Sequence, residues 1–261
     1  MTNSTVVALA NQKGGVGKST TAINLAASLA FQDQRVLLID LDPQGNASSG
    51  LGIERNEIDV SVYDVILKEA ALEDAIEPTS VRNLYVIPAT IDLAGAEIEL
   101  VSLFSRETRL RAAIDECEEQ FDVILIDCPP SLGLLTVNAL AAAKEVMIPI
   151  QCEYYALEGL SQLLRNVELV TSNLNPDLKV GGVVLTMYDG RTRLSKDVAK
   201  QVRDYFGDVA YRTVVPRSVR LSEAPSYGEP IEAFDPMSRG AIAYRRLGKE
   251  FLERHPGKKE N

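Results

Sequence analysis

Short apolar runs recur along the chain, separated by stretches patterned as helices. The runs are TVVALA (5–10), RVLLID (35–40), LYVIPA (84–89), DVILIDC (122–128), EVMIPI (145–150), VGGVVLTM (180–187) and YRTVVP (211–216). Several are apolar throughout rather than alternating, the mark of strands buried on both faces of a parallel sheet. Helical patterns fall between them, at about 18–31, 93–119, 131–143, 156–173, 194–206 and 238–254. Strand–helix alternation of this kind predicts an α/β fold, a doubly wound and mostly parallel sheet flanked by helices and joined by right-handed crossovers. The most loop-like stretch, DPQGNASSGLG (42–52), follows a strand end, where ligands of such sheets bind. No repeat, low-complexity tract or long linker interrupts the 261 residues, so one domain spanning 1–261 is expected, with a polar tail from about 255.

Composition narrows the chemistry. Hydrophobic residues make up 46% of the chain, enough for a sizeable core. The longest apolar runs, such as VMIPI (146–150), are too short to cross a bilayer, and MTNSTVVALANQ lacks the basic region and apolar stretch of a leader. Cys117, Cys128 and Cys152 form no C-x-x-C pair and are odd in number, so a reducing, cytoplasmic setting is expected. A single histidine, His255, excludes a multi-histidine zinc site and argues against a Ser–His–Asp triad. Net charge is −10 but uneven: residues 1–184 carry −14 and residues 185–261 carry +4. That asymmetry suits either a nucleic-acid-facing side or simply an acidic protein with a mildly basic end.

One segment carries explicit chemistry. TVVALA reads as a strand, NQKGGVG as a loop and KSTTAINLAASLA as a helix. That context turns a glycine-rich string into a phosphate site. Gly14, Gly15 and Gly17 let the backbone around Val16 curl so that N–H groups point at an anion, and the helix presents its positive end to the same point. Lys18 stands where such loops place a lysine on the β- and γ-phosphates, Ser19 is set to ligate Mg²⁺, and Thr20 to donate to the α-phosphate. The strict pattern G-x-x-x-x-G-K-[ST] nevertheless fails, since Gln12 replaces its first glycine and an extra lysine, Lys13, follows. Two strands end in aspartate at the same sheet edge, VLLIDLDP with Asp40 and Asp42, and VILIDCPP with Asp127. Alone, each suits a turn as well as a site; with the loop they converge on one crevice.

KGGVGKST with its early lysine resembles the deviant phosphate loop of the ParA/MinD family of P-loop ATPases. LLIDLDPQGNASSGLG, YVIPATIDLAGAEIEL, ILIDCPPSLGLLTVNAL, IPIQCEYYALEGLSQLL and VPRSVRLSEAPSYGEPI are similar to the chromosomal ParA (Soj) branch, to about residue 240. The resemblance implies an ATPase using ATP and Mg²⁺, slow without its partner and DNA. Lys13 would reach across a homodimer to the other subunit's nucleotide. Lys18 and Ser19 would serve the phosphates and metal, Asp40 and Asp127 would hold the metal's waters, and Asp42 would orient the attacking water. Met187 and Pro216 match segments flanking the base, although Met187 suits ordinary core packing too. Glu153 and the YYALEG segment would lie at the dimer face. Arg191 and Arg220 stand where the branch carries DNA-binding arginines, with Arg217, Arg193 and Lys196 as candidate neighbours or plain surface charges.

The branch implies binding to double-stranded DNA without sequence preference, a nucleoid-associated location, and release by hydrolysis that a ParB/Spo0J-type partner stimulates. Two other readings share the fold. A MinD-like membrane ATPase needs an amphipathic basic C-terminal helix, and the tail, interrupted by Pro256 and Gly257, lacks the apolar residues for one. A metabolic ligase of the dethiobiotin-synthetase kind would turn over a small molecule and ignore DNA.

Overall fold

The computed structural model describes residues 4–154 and 160–256. Its strands are β1 (Thr5–Leu9), β2 (Val36–Asp40), β3 (Glu77–Pro78), β4 (Leu84–Ile87), β5 (Val123–Asp127), β6 (Glu145–Gln151), β7 (Lys179–Tyr188) and β8 (Ala210–Pro216). They form one sheet in the order β3-β4-β2-β5-β1-β6-β7-β8. Every pairing is parallel except the two-residue β3, which runs antiparallel on β4. All seven expected strands are present; β3, too short for a periodic signal, is additional.

The helices are α1 (Lys18–Ala30), α2 (Asn46–Gly50), α3 (Val62–Leu67), α4 (Leu93–Leu100), α5 (Arg109–Glu116), α6 (Leu134–Ala142), α7 (Leu160–Asn173), α8 (Arg193–Phe206), α9 (Val219–Glu223), α10 (Ile231–Phe234) and α11 (Arg239–Arg254). Alternate residues of each central strand feed opposite cores. Val6 and Ala8 pack with Leu37 and Ile39 under α3 to α8, while Val7 and Leu9 pack with Val36 and Leu38 under α1 and α11. A strand buried on both faces has no polar side to show, hence the unbroken apolar runs. Each fully buried Leu or Ile contributes about 1.5–3 kcal/mol of transfer free energy.

The helix expected over 93–119 is two helices. Arg106 turns back on the Val101 carbonyl (2.6 Å), and Asn138 of α6 fixes the restart, donating to the Arg106 carbonyl (2.7 Å) and accepting from Leu110 N (3.2 Å). The stretch 42–52 is also less loop-like than expected, since it contains α2. The first residues of the helix expected from 156 lie outside the described residues.

The topology opens the site. From β1 the chain crosses through α1 to β2 on one side, whereas from β5 it passes through α6 to β6 on the other. The loops after β1 and β5 therefore part at the carboxyl edge of the sheet, and a crevice lies where they diverge.

Candidate functional site

A cavity of about 830 Å³ occupies that crevice. Gly14, Gly15, Gly17, Lys18, Ser19 and Thr20 line one wall; Asp42, Pro130, Met187, Pro216 and Tyr244 lie among the residues around the rest. Gly15 and Gly17 have φ of 72° and 87°, the left-handed region that a side chain strains to enter. Gly17 caps α1 without a side chain, so the helix meets the cavity with unscreened N–H groups. Lys18 opens that helix and is buried at the cavity wall.

Distant residues hold the loop in shape. Asn11 donates to the Pro149 carbonyl (2.7 Å) and accepts from Lys13 N (3.0 Å). The Thr186 hydroxyl donates to the Val16 carbonyl (2.7 Å), and Thr21 shares a hydrogen bond with the Tyr244 hydroxyl (3.2 Å). Met187, next to Thr186, has φ of 51° within a break in the β7–β8 register. A left-handed methionine in a strand costs about 1–3 kcal/mol. The kink sets Met187 in the cavity wall, so it is not ordinary core packing.

Asp40 and Asp127 are register partners across β2 and β5, and both are fully buried. Their surroundings differ sharply. Asp40 accepts Ser48 N (2.8 Å), the Ser48 hydroxyl (2.7 Å) and Asp42 N (3.2 Å), and Ser48 in turn accepts Ala89 N (3.1 Å). Burial still raises its pKa to about 6 despite those donors. Asp127 has no hydrogen-bond partner on either carboxylate oxygen among the described residues. Burial, then the neighbouring Asp40, push its pKa well above the carboxylate range, with the Ser19 hydroxyl and Lys18 pulling the other way. A buried carboxylate without donors, beside a hydroxyl and a phosphate-type lysine, fits a hydrated divalent cation. Among the described residues no cluster of three His, Cys, Asp or Glu forms a protein cage for one. Mg²⁺ commonly takes such a place, keeping its waters and drawing other ligands from phosphates.

Asp42 is buried at the cavity wall and accepts Gln44 N (3.0 Å), fixing the turn into α2. Lys13 does not line its own chain's cavity: its ammonium extends toward Glu153 at 3.9 Å, with both side chains close to half-exposed. Tyr154 is exposed, and the rest of the YYALEG segment lies outside the described residues.

The arginines expected at a DNA face are dispersed. Arg191 chelates Asp189 with Nε and Nη2 (2.9 and 2.7 Å). Arg220 is held by Glu223 (3.0 Å) and Asp235 (3.2 Å) against the Phe234 ring. Arg193 faces Asp197 at 3.6 Å, Arg217 reaches Glu153 at 3.7 Å, and Lys196 is exposed. Arg191 and Arg217 share a second groove with Arg239, Arg246 and Lys249 of α11, residues not singled out from the sequence. Positions 239, 246 and 249 recur at helical spacing on one face, and that was the available signal.

The chain is similar to known proteins. Residues 4–180 match the family described as "AAA domain". The chain is 59% identical to the sporulation initiation inhibitor protein Soj of Bacillus subtilis, over 94% of this chain and 97% of that protein. It is 54% identical to the chromosome partitioning protein ParA of Myxococcus xanthus, covering 95% and 88% respectively. The chain belongs to the ParA/Soj family of chromosome-partitioning ATPases. A ParA/Soj-type fold also superposes on a Mycobacterium smegmatis structure named cobyrinic acid a,c-diamide synthase, with bound ADP and magnesium. There the identity is 40% and the TM-score 0.85, over 98% of this chain and 97% of that one.

Proposed function

We propose that this protein is an ATP-dependent partitioning ATPase whose ATP-bound homodimer holds double-stranded DNA without sequence preference. Hydrolysis, stimulated by a ParB/Spo0J-type partner, releases it. The observation that carries the reading is Lys13. Its loop is otherwise complete for phosphates, yet its ammonium lies outside its own cavity, where a second subunit's nucleotide can meet it.

In this reading the loop N–H groups and Lys18 bind the phosphates of ATP. Ser19 would hold Mg²⁺ directly, and Asp127 and Asp40 would hold it through water; Asp127 has the freer oxygens. The metal supplies charge neutralisation on the phosphate oxygens. Asp42 orients the attacking water from the cavity wall. The partner subunit's lysine stabilises charge on the transferred group, as an arginine finger does. Met187 and Pro216 border the base, and Glu153 guides Lys13 at the dimer face. A monomer therefore binds ATP but turns it over poorly.

Arg191 and Arg217, in the basic groove of α11, support a DNA face, with Arg220, Arg193 and Lys196 nearby in sequence. Two such faces side by side in the dimer double the phosphate contacts. A membrane role has less support. The apolar side of α11 is spent on the core through Ala241, Tyr244, Leu247 and Phe251, and no helix among the described residues is long and apolar enough to cross a membrane. The name of the mycobacterial structure favours a second reading, a ligase that uses ATP to activate a carboxylate. The more similar relatives favour partitioning.

Lys13→Ala tests the reading. Sizing with ATP should show a monomer, and ATP turnover should fall at least tenfold, with ATP affinity within about threefold of wild type. A variant that dimerises and hydrolyses normally would refute the role of Lys13 across the interface.

A further inference from the structure

Helix α4 is apolar on two sides. Leu93, Ala96 and Leu100 are buried and join the core. On the other side Ile98 is 78% exposed, and Phe104 in the following turn is 94% exposed; Ile91 and Val101 are exposed as well. Turn hydrogen bonds carry the helical winding past both ends, Ala94 N to Ile91 O (3.0 Å) and Val101 N to Ile98 O (3.3 Å). Positions 91, 94, 98 and 101 therefore make one outward stripe of Ile, Ala, Ile and Val. Isolated exposed apolar residues are ordinary, but a contiguous row ending in a bare phenylalanine marks a contact surface.

The rim is acidic. Between Asn83 and Ser105 the chain has Asp92, Glu97 and Glu99 and no Lys or Arg. Tyr63 of α3 donates to Glu99 (3.1 Å). Lost solvent, then Glu99, then the charges of Glu69 and Asp92 raise the Tyr63 pKa, which places three carboxylates around one hydroxyl. Exposed Lys68 stands beside Glu69, whereas two arginines that follow α4 are engaged. Arg106 pairs with Glu107 (2.8 Å), and Arg109 donates to the carbonyls of Ile66 and Leu67 (3.3 and 3.1 Å).

The face also touches the catalytic edge. The Glu97 carboxylate lies against Gly133, in the space a side chain there would fill, and its Oε1 is buried without a partner among the described residues. Gly133 caps α6 and ends the loop that leaves Asp127.

We infer that the α3–α4 face is the docking surface for a protein partner that presents apolar side chains set among Lys and Arg, seated where it presses on the loop after Asp127. The charge decides the occupant. Two copies of this acidic face repel each other, as do anionic lipid and DNA phosphates, whereas a basic segment is attracted. The inference rests on the partner reading above and adds where that partner sits.

The test is ATPase activity with DNA, titrated with the purified cognate ParB/Spo0J-type protein. Two variants are compared with wild type, Ile98→Ser/Phe104→Ser and Glu99→Lys. These side chains are exposed or at the rim, so folding is retained. Half-maximal stimulation should need at least tenfold more partner in both variants, with basal turnover, ATP-dependent dimer and DNA binding unchanged. Stimulation curves that overlay the wild type would overturn the inference. Loss of the ATP dimer with ATP binding intact would overturn it too, assigning the face to a second copy. A wild type that the partner does not stimulate fails the partner reading itself, and the inference falls with it.

Discussion

At the end of β5 one carboxylate carries an electrostatic cost that the Ser19 hydroxyl and Lys18 only partly relieve. Asp127 is buried with both oxygens unpartnered among the described residues, while Asp40 next to it accepts three hydrogen bonds. A cation site built in advance has this form: stability is given up so that the metal and its waters find a desolvated anion waiting. Folding holds a proton on Asp127 beyond the pH at which the unfolded chain releases it. Stability is therefore lost as pH rises from the ordinary carboxylate range upward. Asp127→Asn removes the ionisation. Without nucleotide, the unfolding free energy of the variant should match wild type near pH 4 and exceed it increasingly toward pH 7, by about 1–3 kcal/mol. Mg²⁺-dependent ATP binding should weaken at least tenfold in the same variant. A constant offset across pH would mean that the buried charge is compensated after all. The phosphate loop was legible at this scale because its function is written in consecutive residues. Asn11 could be read only as part of that loop. Thr186 and Tyr244 were not legible, because their partners lie far off in sequence: 170 positions for Thr186 and Val16, and 223 for Tyr244 and Thr21.

Among elements, β7 does more than extend the sheet. Its end carries both the Thr186 hydroxyl that holds the Val16 carbonyl and the left-handed Met187 at the cavity wall. One kink thereby couples the shape of the phosphate loop to the part of the cavity wall formed by Met187. Thr186→Val keeps the volume and leaves the buried carbonyl without its donor, at a cost of about 1–3 kcal/mol. ATP affinity should fall about fivefold or more, measured by equilibrium binding, with the fold unchanged by circular dichroism; unaltered affinity would show that the glycines alone set the loop. Strands at this scale were legible because burial on both faces leaves uninterrupted apolar runs. The helices were less so. The break between α4 and α5 depends on Asn138 from α6, which no local pattern in 93–119 encodes. Helix α3 did have a local signal, the Ser61–Asp64 capping box, but its six residues are too few for a periodic stripe.

For the whole molecule, the parallel sheet gathers every element of the site at one edge. Loops after β1, β2, β5 and β8 and the end of β7 meet there because parallel strands all end on the same side. Lys13 leaves that edge outward and the basic groove lies beside it, sharing Pro216 and Arg217 with the nucleotide cavity. Under the proposed function, nucleotide state, subunit pairing and DNA contact would thus be neighbours rather than distant sites. Arbitrary duplex DNA should therefore be bound in a nucleotide-gated way, against an overall charge of −10. The most direct measurement is binding to a random-sequence duplex with ATP, with ADP and without nucleotide, across a salt series, with sizing in parallel. A dimer and steeply salt-dependent binding are expected with ATP only, and Arg191→Glu should abolish the binding while leaving the dimer. An ATP dimer that ignores DNA at low salt, or binding equal in all three nucleotide conditions, would contradict the proposed function.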